Sequence, residues 1–276
     1  MISSLNIRST TFNTGSNFFI IELPGLEMPP MRVVNYNLAG EHFGLYVSAF
    51  YGKRRFSLKG WVVGSSQSDF QTQRDQLQKD LDITSGEIPI NITLVNGRQL
   101  TINAILIALD FSPKPGELTA TQFNASFDAS FPFLVSQTEN SQNINLATGG
   151  GGKVPPDTMP MALAPDSGGS NFIINNGNAP YYPIVRITGP VLNPSLRNNT
   201  SGKVVRFAVN LAAGEYLDID FKRKTIFDNQ GRNQYSSKSG DWWFLQPGTS
   251  EIRFLADSYD ASAVANIKFR DSFLGI

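Results

Sequence analysis

Between Asn178 and Ile276 the chain is a run of short segments with alternating apolar residues, cut about every ten residues by turn-forming ones. That pattern excludes a helical fold for this stretch. Ile184, Arg186 and Thr188 fall on one face of the first segment and Val185 and Ile187 on the other, before Gly189-Pro190 stops it. Val205, Phe207 and Val209 alternate with Arg206, Ala208 and Asn210 in the same way. With no helical periodicity between such segments, the expected architecture is an all-β sandwich of two antiparallel sheets.

The preceding residues read as a second β-rich domain. Phe18 to Leu23 is a strand closed by Pro24-Gly25, and Arg32 to Leu38 is another. Ala39 to Arg55 then carries Gly40, Gly44 and Gly52, the aromatics Phe43, Tyr46, Phe50 and Tyr51, and the basic triplet Lys53, Arg54 and Arg55. Two readings of this loop stand: a hairpin packed on its own domain's core, or an inter-subunit patch, since aromatic and Arg enrichment marks protein contacts. Phe56 to Val63 resumes strand character. Ser68 to Asp82 predicts a single α-helix, with Ser68 and Gln71 as a capping box and Phe70, Gln73, Leu77 and Leu81 at helical spacing. Ile88 to Val95 and Leu100 to Phe111 flank Asn96-Gly97, which predicts a hairpin with a type I′ turn. Leu118 to Phe131 alternates Phe123, Ala125, Phe127 and Ala129 against polar residues, a strand with one wet face.

Glycine, proline and serine concentrate between the halves, at Gly149 to Gly152, Pro155-Pro156 and Ser167 to Ser170. The expected organisation is a domain over 1–137, a linker over 138–171 and a domain over 172–276. The linker is expected to be the most mobile internal segment, with proteolysis at Lys153 leaving two folded halves.

The chemistry of the residues narrows the function. The chain has no Cys, which removes disulfides and zinc-thiolate sites, and His42 is its one histidine, which removes a charge-relayed serine. Gly149 to Lys153 fails as a phosphate loop, with Ala147 at the position of the first glycine and Val154 at that of the hydroxyl residue. Asp218 and Asp220 share a strand face at a spacing that a glycosidase or a cation site uses, but paired acids on a strand are more simply a solvated face. No catalytic, cofactor or metal residues are therefore expected, and the chain is read as not an enzyme. Trp242 and Trp243, if in a strand, point to opposite faces, so that one is core and the other is free to stack on a sugar. No apolar run approaches the length of a membrane span, and no membrane insertion is expected. Lys and Arg total 23 against 23 Asp and Glu, without the basic excess that stable nucleic-acid binding needs.

In order, Asn178-Ala-Pro180, Ile184-Val-Arg-Ile-Thr-Gly189, Asn193-Pro194, Thr200-Ser-Gly202, Gly214-Glu215, Leu217-Asp-Ile-Asp220, Pro247-Gly248, Glu251 to Leu255 and Asn266 to Ile276 closely resemble the C-terminal domain of the distal tail (Dit) family of phages with long non-contractile tails. The order of strand, glycine-rich loop, Lys53 to Gly60, helix, Asn-Gly hairpin and Phe131-Pro-Phe133 resembles that family's N-terminal domain. The resemblance implies two β-sandwich domains, the first with one helix and the second lectin-like, similar to galectins and carbohydrate-binding modules. It implies a structural adaptor in the virion, at the tail tip or baseplate, made in the host cytoplasm. Its partners would be itself, as a hexameric ring, the tail tube protein, a tail-associated tip protein and receptor-binding proteins. The ring would continue the DNA channel, and a neutral wall suits a conduit that must not hold DNA. The alternative is a carbohydrate-binding or adhesin module that forms no ring.

Overall fold

The computed structural model describes residues 2–40, 42–113, 116, 118–146, 169–258 and 260–276. The glycine-rich segment 147–168, with Lys153 and the failed phosphate loop, lies outside them. The chain divides into two compact units, one of Met1–Gln137 with Phe273–Ile276, the other Thr138–Ser272.

The first unit contains β1 (Ile2–Ile7), β2 (Thr10–Phe12), β3 (Phe18–Glu22), β4 (Met31–Asn37), β5 (Gly44–Tyr51), β6 (Arg54–Val63), α1 (Gln67–Asp80), β7 (Ile88–Leu94), β8 (Gln99–Ser112), β9 (Ala120–Ala129) and β10 (Leu134–Ser136). A continuous antiparallel path runs β2-β1-β7-β8-β9-β6-β3. The long strand β8 joins its two halves. Its first part pairs with β7 and β10 and its second with β9, with a register shift between Leu106 and Ala108. A bulge bends a strand. β8 thus carries the ladder from β2-β1-β7 on to β9-β6-β3, and both halves contribute to a single core.

Alternation within β6 and β9 builds that core. Arg54, Phe56, Leu58, Gly60 and Val62 point inward, opposite Phe123, Ala125, Phe127 and Ala129. Phe56 and Phe127 are register partners with stacked rings 5.1 Å apart. Gly60 is required by a close approach, because a Cβ there would sit 2.3 Å from the Phe19 carbonyl oxygen and 2.8 Å from the Phe123 ring.

Two local expectations need correction. The helix is capped two residues earlier than the Ser68–Gln71 reading places it: the Ser66 hydroxyl accepts from the Asp69 N–H at 3.1 Å, and Asp69 reaches back to the Ser65 N–H at 2.7 Å. Asp at this position does what Gln was expected to do at 71, because a short carboxylate reaches the preceding backbone and favours the positive end of the helix dipole. The Asn96-Gly97 turn is not type I′. Only Gly97 has positive φ, and Leu94 closes a three-residue loop by bonding Gly97 N–H and Arg98 C=O.

The strands β1 and β2, which sequence alternation did not single out, hold the helix. Asp80, buried on α1, accepts from Ser9 Oγ and Thr10 Oγ1 at 2.7 Å each and from Gln76 at 3.0 Å. Burial pushes its carboxyl up, but those hydrogen bonds outweigh burial and hold it below the ordinary value of 3.8. A depressed folded value means that the stabilisation is present above the unfolded value and is lost as pH falls through the folded one. The acid limb of unfolding below about pH 4 should therefore flatten in Asp80→Asn, which should cost about 1–3 kcal/mol at neutral pH. Denaturant melts of both proteins across pH 2 to 7 would test this; parallel acid limbs would refute it.

The second unit contains β11 (Asn140–Asn145), β12 (Ser170–Asn175), β13 (Ile184–Thr188), β14 (Val191–Leu192), β15 (Ser195–Asn198), β16 (Lys203–Phe207), β17 (Asn210–Leu211), β18 (Tyr216–Asp220), β19 (Thr225–Asp228), β20 (Lys238–Gly240), β21 (Gly248–Leu255) and β22 (Val264–Phe269). One sheet runs β11-β22-β13-β18-β19 and the other β12-β21-β15-β16-β20. Val185, Ile187, Leu217, Ile219 and Ile267 of the first share one core with Leu196, Val205, Phe207, Ile252 and Phe254 of the second.

The expected linker 138–171 is corrected at both ends. Asn140–Asn145 pairs with β22 along its whole length, and Ser170–Asn175 pairs with β21. β11 reads as linker because it is an edge strand with mainly polar side chains, contributing Ile144 to the core with Leu146 just beyond it. Both strands belong to the second unit, so a cut at Lys153 would nick that unit rather than separate the two. The closing segment expected to run to Ile276 also ends early for this unit, since Phe273–Ile276 belong to the first.

Candidate assembly interface

The sequence Met31 to Tyr51 folds as a hairpin that the rest of its unit leaves bare. β4 and β5 form a two-stranded sheet of their own. Every residue of β4 is exposed, and within β5 only Ser48 is half-buried. Of the two readings of Ala39 to Arg55, packing on the domain's own core is therefore not what the structure has. The base is fixed: Gly52 N–H donates to the Pro30 carbonyl at 2.7 Å, and Tyr51 meets buried Phe133 edge-on at 5.3 Å.

Register decides what each face offers, because directly opposed residues share a face. The pairs Met31↔Tyr51, Val33↔Ala49 and Asn35↔Tyr46 lie on one side; Arg32↔Phe50, Val34↔Ser48 and Tyr36↔Leu45 lie on the other. A register shift between Val34 and Asn35 leaves Val47 without an opposite residue. Both faces thus carry large apolar side chains. Phe43 is 58% exposed, Tyr46 67%, Phe50 54% and Tyr51 37%. A lone two-stranded hairpin is marginal in water, and a contiguous apolar surface of this kind marks a contact site.

The basic triplet divides, since alternating residues of a strand face opposite ways. Lys53 and Arg55 point outward, at 2.5 and 3.7 Å from Asp128. Arg54 is fully buried, its Nε donating to the Pro132 carbonyl at 2.7 Å and its second nitrogen to the Leu274 carbonyl. Burial lowers its pKa to about 10, against the opposing pull of Glu27. Arg54 is therefore removed from the expected contact residues: it begins an inward-facing series on β6 and serves the core. Sequence reasoning also missed part of the surface, namely Met31, Val33, Val34, Tyr36, Leu45 and Val47. Its signal was present in Leu45-Tyr-Val47 and Ala49-Phe-Tyr51, apolar runs that no single buried face accommodates. His42, near the hairpin tip, is exposed.

In the second unit Trp243 is buried, and Trp242 is half-buried on the same Phe221, whose ring lies 5.2 Å from Trp242 and 4.4 Å from Trp243. Tyr235 stacks toward Trp242 at 6.4 Å and the Lys238 ammonium lies 5.2 Å from its ring centre. The two tryptophans lie outside the strands, so the opposite-face rule does not govern them, and neither ring stands free for a sugar. Asp218 is held by Arg186 in a two-pronged pair of 2.7 Å bonds, while Asp220 accepts from the N–H groups of Lys222 and Arg223 at 2.8 Å. These roles account for both carboxylates structurally. Incubation of Asp218→Asn, Asp220→Asn protein and wild type with cell-wall polysaccharides should release no reducing sugar in either; release by wild type alone would reverse this reading.

Residues 176–273 match the family model described as the siphovirus-type tail component, C-terminal domain. The structure as a whole resembles the Dit protein of phage SPP1, described as a paradigm of hub adsorption apparatus in Gram-positive infecting phages, with a TM-score of 0.67, 13% identity and 98% of each chain covered. Residues 176–273 are thus similar to the C-terminal domain of siphovirus-type tail components, and the chain as a whole shares the fold of the SPP1 Dit protein. It also resembles a chain of the phage P2 baseplate in its activated, calcium-containing conformation, with a TM-score of 0.52, 11% identity, and 97% of this chain and 98% of that one covered. At these identities the likeness of structure is a likeness of fold, and it extends through the first unit, beyond the reach of the family model. Comparison with curated protein sequences gives no match.

Proposed function

We propose that this protein is the hub adaptor of a phage tail tip, assembling through its first unit into a ring, by family resemblance a hexamer, that joins the tail tube to the host-adhesion apparatus. The observation that carries the reading is the bare β4–β5 hairpin, with apolar side chains on both faces. A second copy of the chain is its natural cover: a contact in which a hairpin of one copy meets a different surface of the next is heterologous, and such contacts close into rings. The ring would continue the DNA channel, and a chain without net charge suits a wall past which DNA must slide. The second unit would face the tip and receptor-binding proteins, and the virion tail tip is the place of action. Light scattering with size separation on concentrated protein, with electron microscopy alone and together with the tail tube and tip proteins, tests this. Closed rings are expected; a monomer under all these conditions would favour the ring-free sugar-binding module instead.

A further inference from the structure

The outer face of the sheet β11-β22-β13-β18-β19 is ordered by its register into rows. One row runs through Asn143, Asn266, Arg186, Asp218 and Phe227, five directly opposed positions on five strands. The adjacent row brings Lys268, Ile184, Asp220 and Thr225 alongside. Over the two rows, from Asn266 and Lys268 to Phe227 and Thr225, lies a depression of about 440 Å³, within the roughly 300–1,000 Å³ of small-molecule sites.

The polar groups in this depression are held in place and their charges are answered. Arg186 is fixed by the two bonds to Asp218 and by the Tyr216 ring, whose centre is 4.1 Å from its guanidinium carbon. Asn266 donates to Ser141 Oγ at 2.8 Å and Asn143 Oδ1 at 2.6 Å, which fixes its amide plane. Asp220 caps a turn, Arg223 approaches it at 3.9 Å, and Lys268 approaches Glu139 at 3.7 Å. An anionic or cationic ligand would have to break these pairs. A neutral polyol would not, because guanidinium, carboxylate and amide groups in pairs still offer unused donors and lone pairs. Phe227, 40% exposed at one end of the row, supplies the flat apolar surface on which the C–H face of a sugar ring packs.

We propose that this sheet face binds a neutral oligosaccharide, with Phe227 under one ring and Arg186, Asp218 and Asn266 hydrogen-bonding its hydroxyls. The proposal does not rest on ring assembly. Groups already held in their bound geometry lose little freedom when the ligand arrives. The site differs from the tryptophan pair at 242 and 243 in having its aromatic ring open.

Saturation-transfer NMR of the full chain with neutral oligosaccharides of glucose, galactose and N-acetylglucosamine tests it, with sialyllactose and inorganic phosphate as anionic probes. At least one neutral oligosaccharide should receive saturation, with a dissociation constant in the millimolar range or below. Phe227→Ala and Arg186→Met should each weaken it about tenfold or more, the equivalent of about 1.4 kcal/mol. Thermal melts of each variant establish that the unit is folded, and either variant alone decides the point if the other is not. Absence of transfer from every neutral probe overturns the proposal, as does unchanged binding in a folded variant. Preference for sialyllactose or phosphate overturns it too, by assigning the face to an anion. Rings that form but bind no sugar would end this proposal and leave the hub reading intact.

Discussion

Truncating Phe43, Tyr46 and Phe50 together to Ala should abolish assembly while leaving the fold untouched. Each side chain is more than half exposed in the single chain, so its removal opens no cavity, and surface changes of this kind usually alter stability by less than about 0.5 kcal/mol. If a neighbouring copy covers the hairpin, the same atoms become buried aromatic anchors, worth on the order of 2 kcal/mol each and not strictly additive. Tyr46 lies on one face of the hairpin and Phe50 on the other. Single variants therefore give a finer reading. Loss from both positions means that both faces are covered, whereas loss from one alone means that the other face looks into solvent or channel. Size separation with light scattering should show wild-type rings and a monomeric triple variant with an unchanged melting temperature. Assembly retained in the triple variant would remove the hairpin from the interface.

Arg54→Ala should be among the most damaging single changes in the first unit. It removes a fully buried side chain and, with it, the donor to the buried Pro132 carbonyl and one donor to the half-buried Leu274. An orphaned buried acceptor costs about 1–3 kcal/mol, and the vacated volume adds to it. A total of about 3 kcal/mol would lower the melting temperature of a unit of this size by roughly 10 °C. Arg55→Ala, at a side chain 71% exposed with a loose 3.7 Å approach to Asp128, should be nearly silent. Calorimetry on the two neighbours makes the contrast; equal effects would mean that Arg54 does not serve the core.

That pair also shows where the sequence is legible. Alternation identified the inward faces of β9 and β16 and separated the two faces of β13, because a half-buried strand repeats every two residues. It could have split Lys53-Arg54-Arg55 in the same way, but charge was read as a block and burial of an arginine is rare enough to be discounted. The hairpin was half legible. Its aromatics were singled out, whereas Met31, Val33 and Tyr36 looked like ordinary strand because a strand bare on both faces and one buried on both faces share the same composition. β11 failed for the opposite reason: Asn-Ser-Gln-Asn-Ile-Asn145 offers little apolar signal, and only its pairing partner at β22 makes it a strand. The sheet-face row from Asn143 to Phe227 was beyond reach, since its members come from five strands whose order no local pattern specifies.

The path of the backbone bears on how the molecule can be taken apart. The first unit is left at Gln137 and resumed at Phe273, which makes the second unit an insertion near the end of the first. A stop after codon 137 would not release an intact first unit. It would discard the Leu274 carbonyl that Arg54 needs, the Phe273 ring that lies 4.6 Å from the Arg98 guanidinium, and the Ile276 N–H bonded to Leu26. The workable dissection is an excision: residues 138–272 expressed alone, and 1–137 rejoined to 273–276 through a short flexible splice.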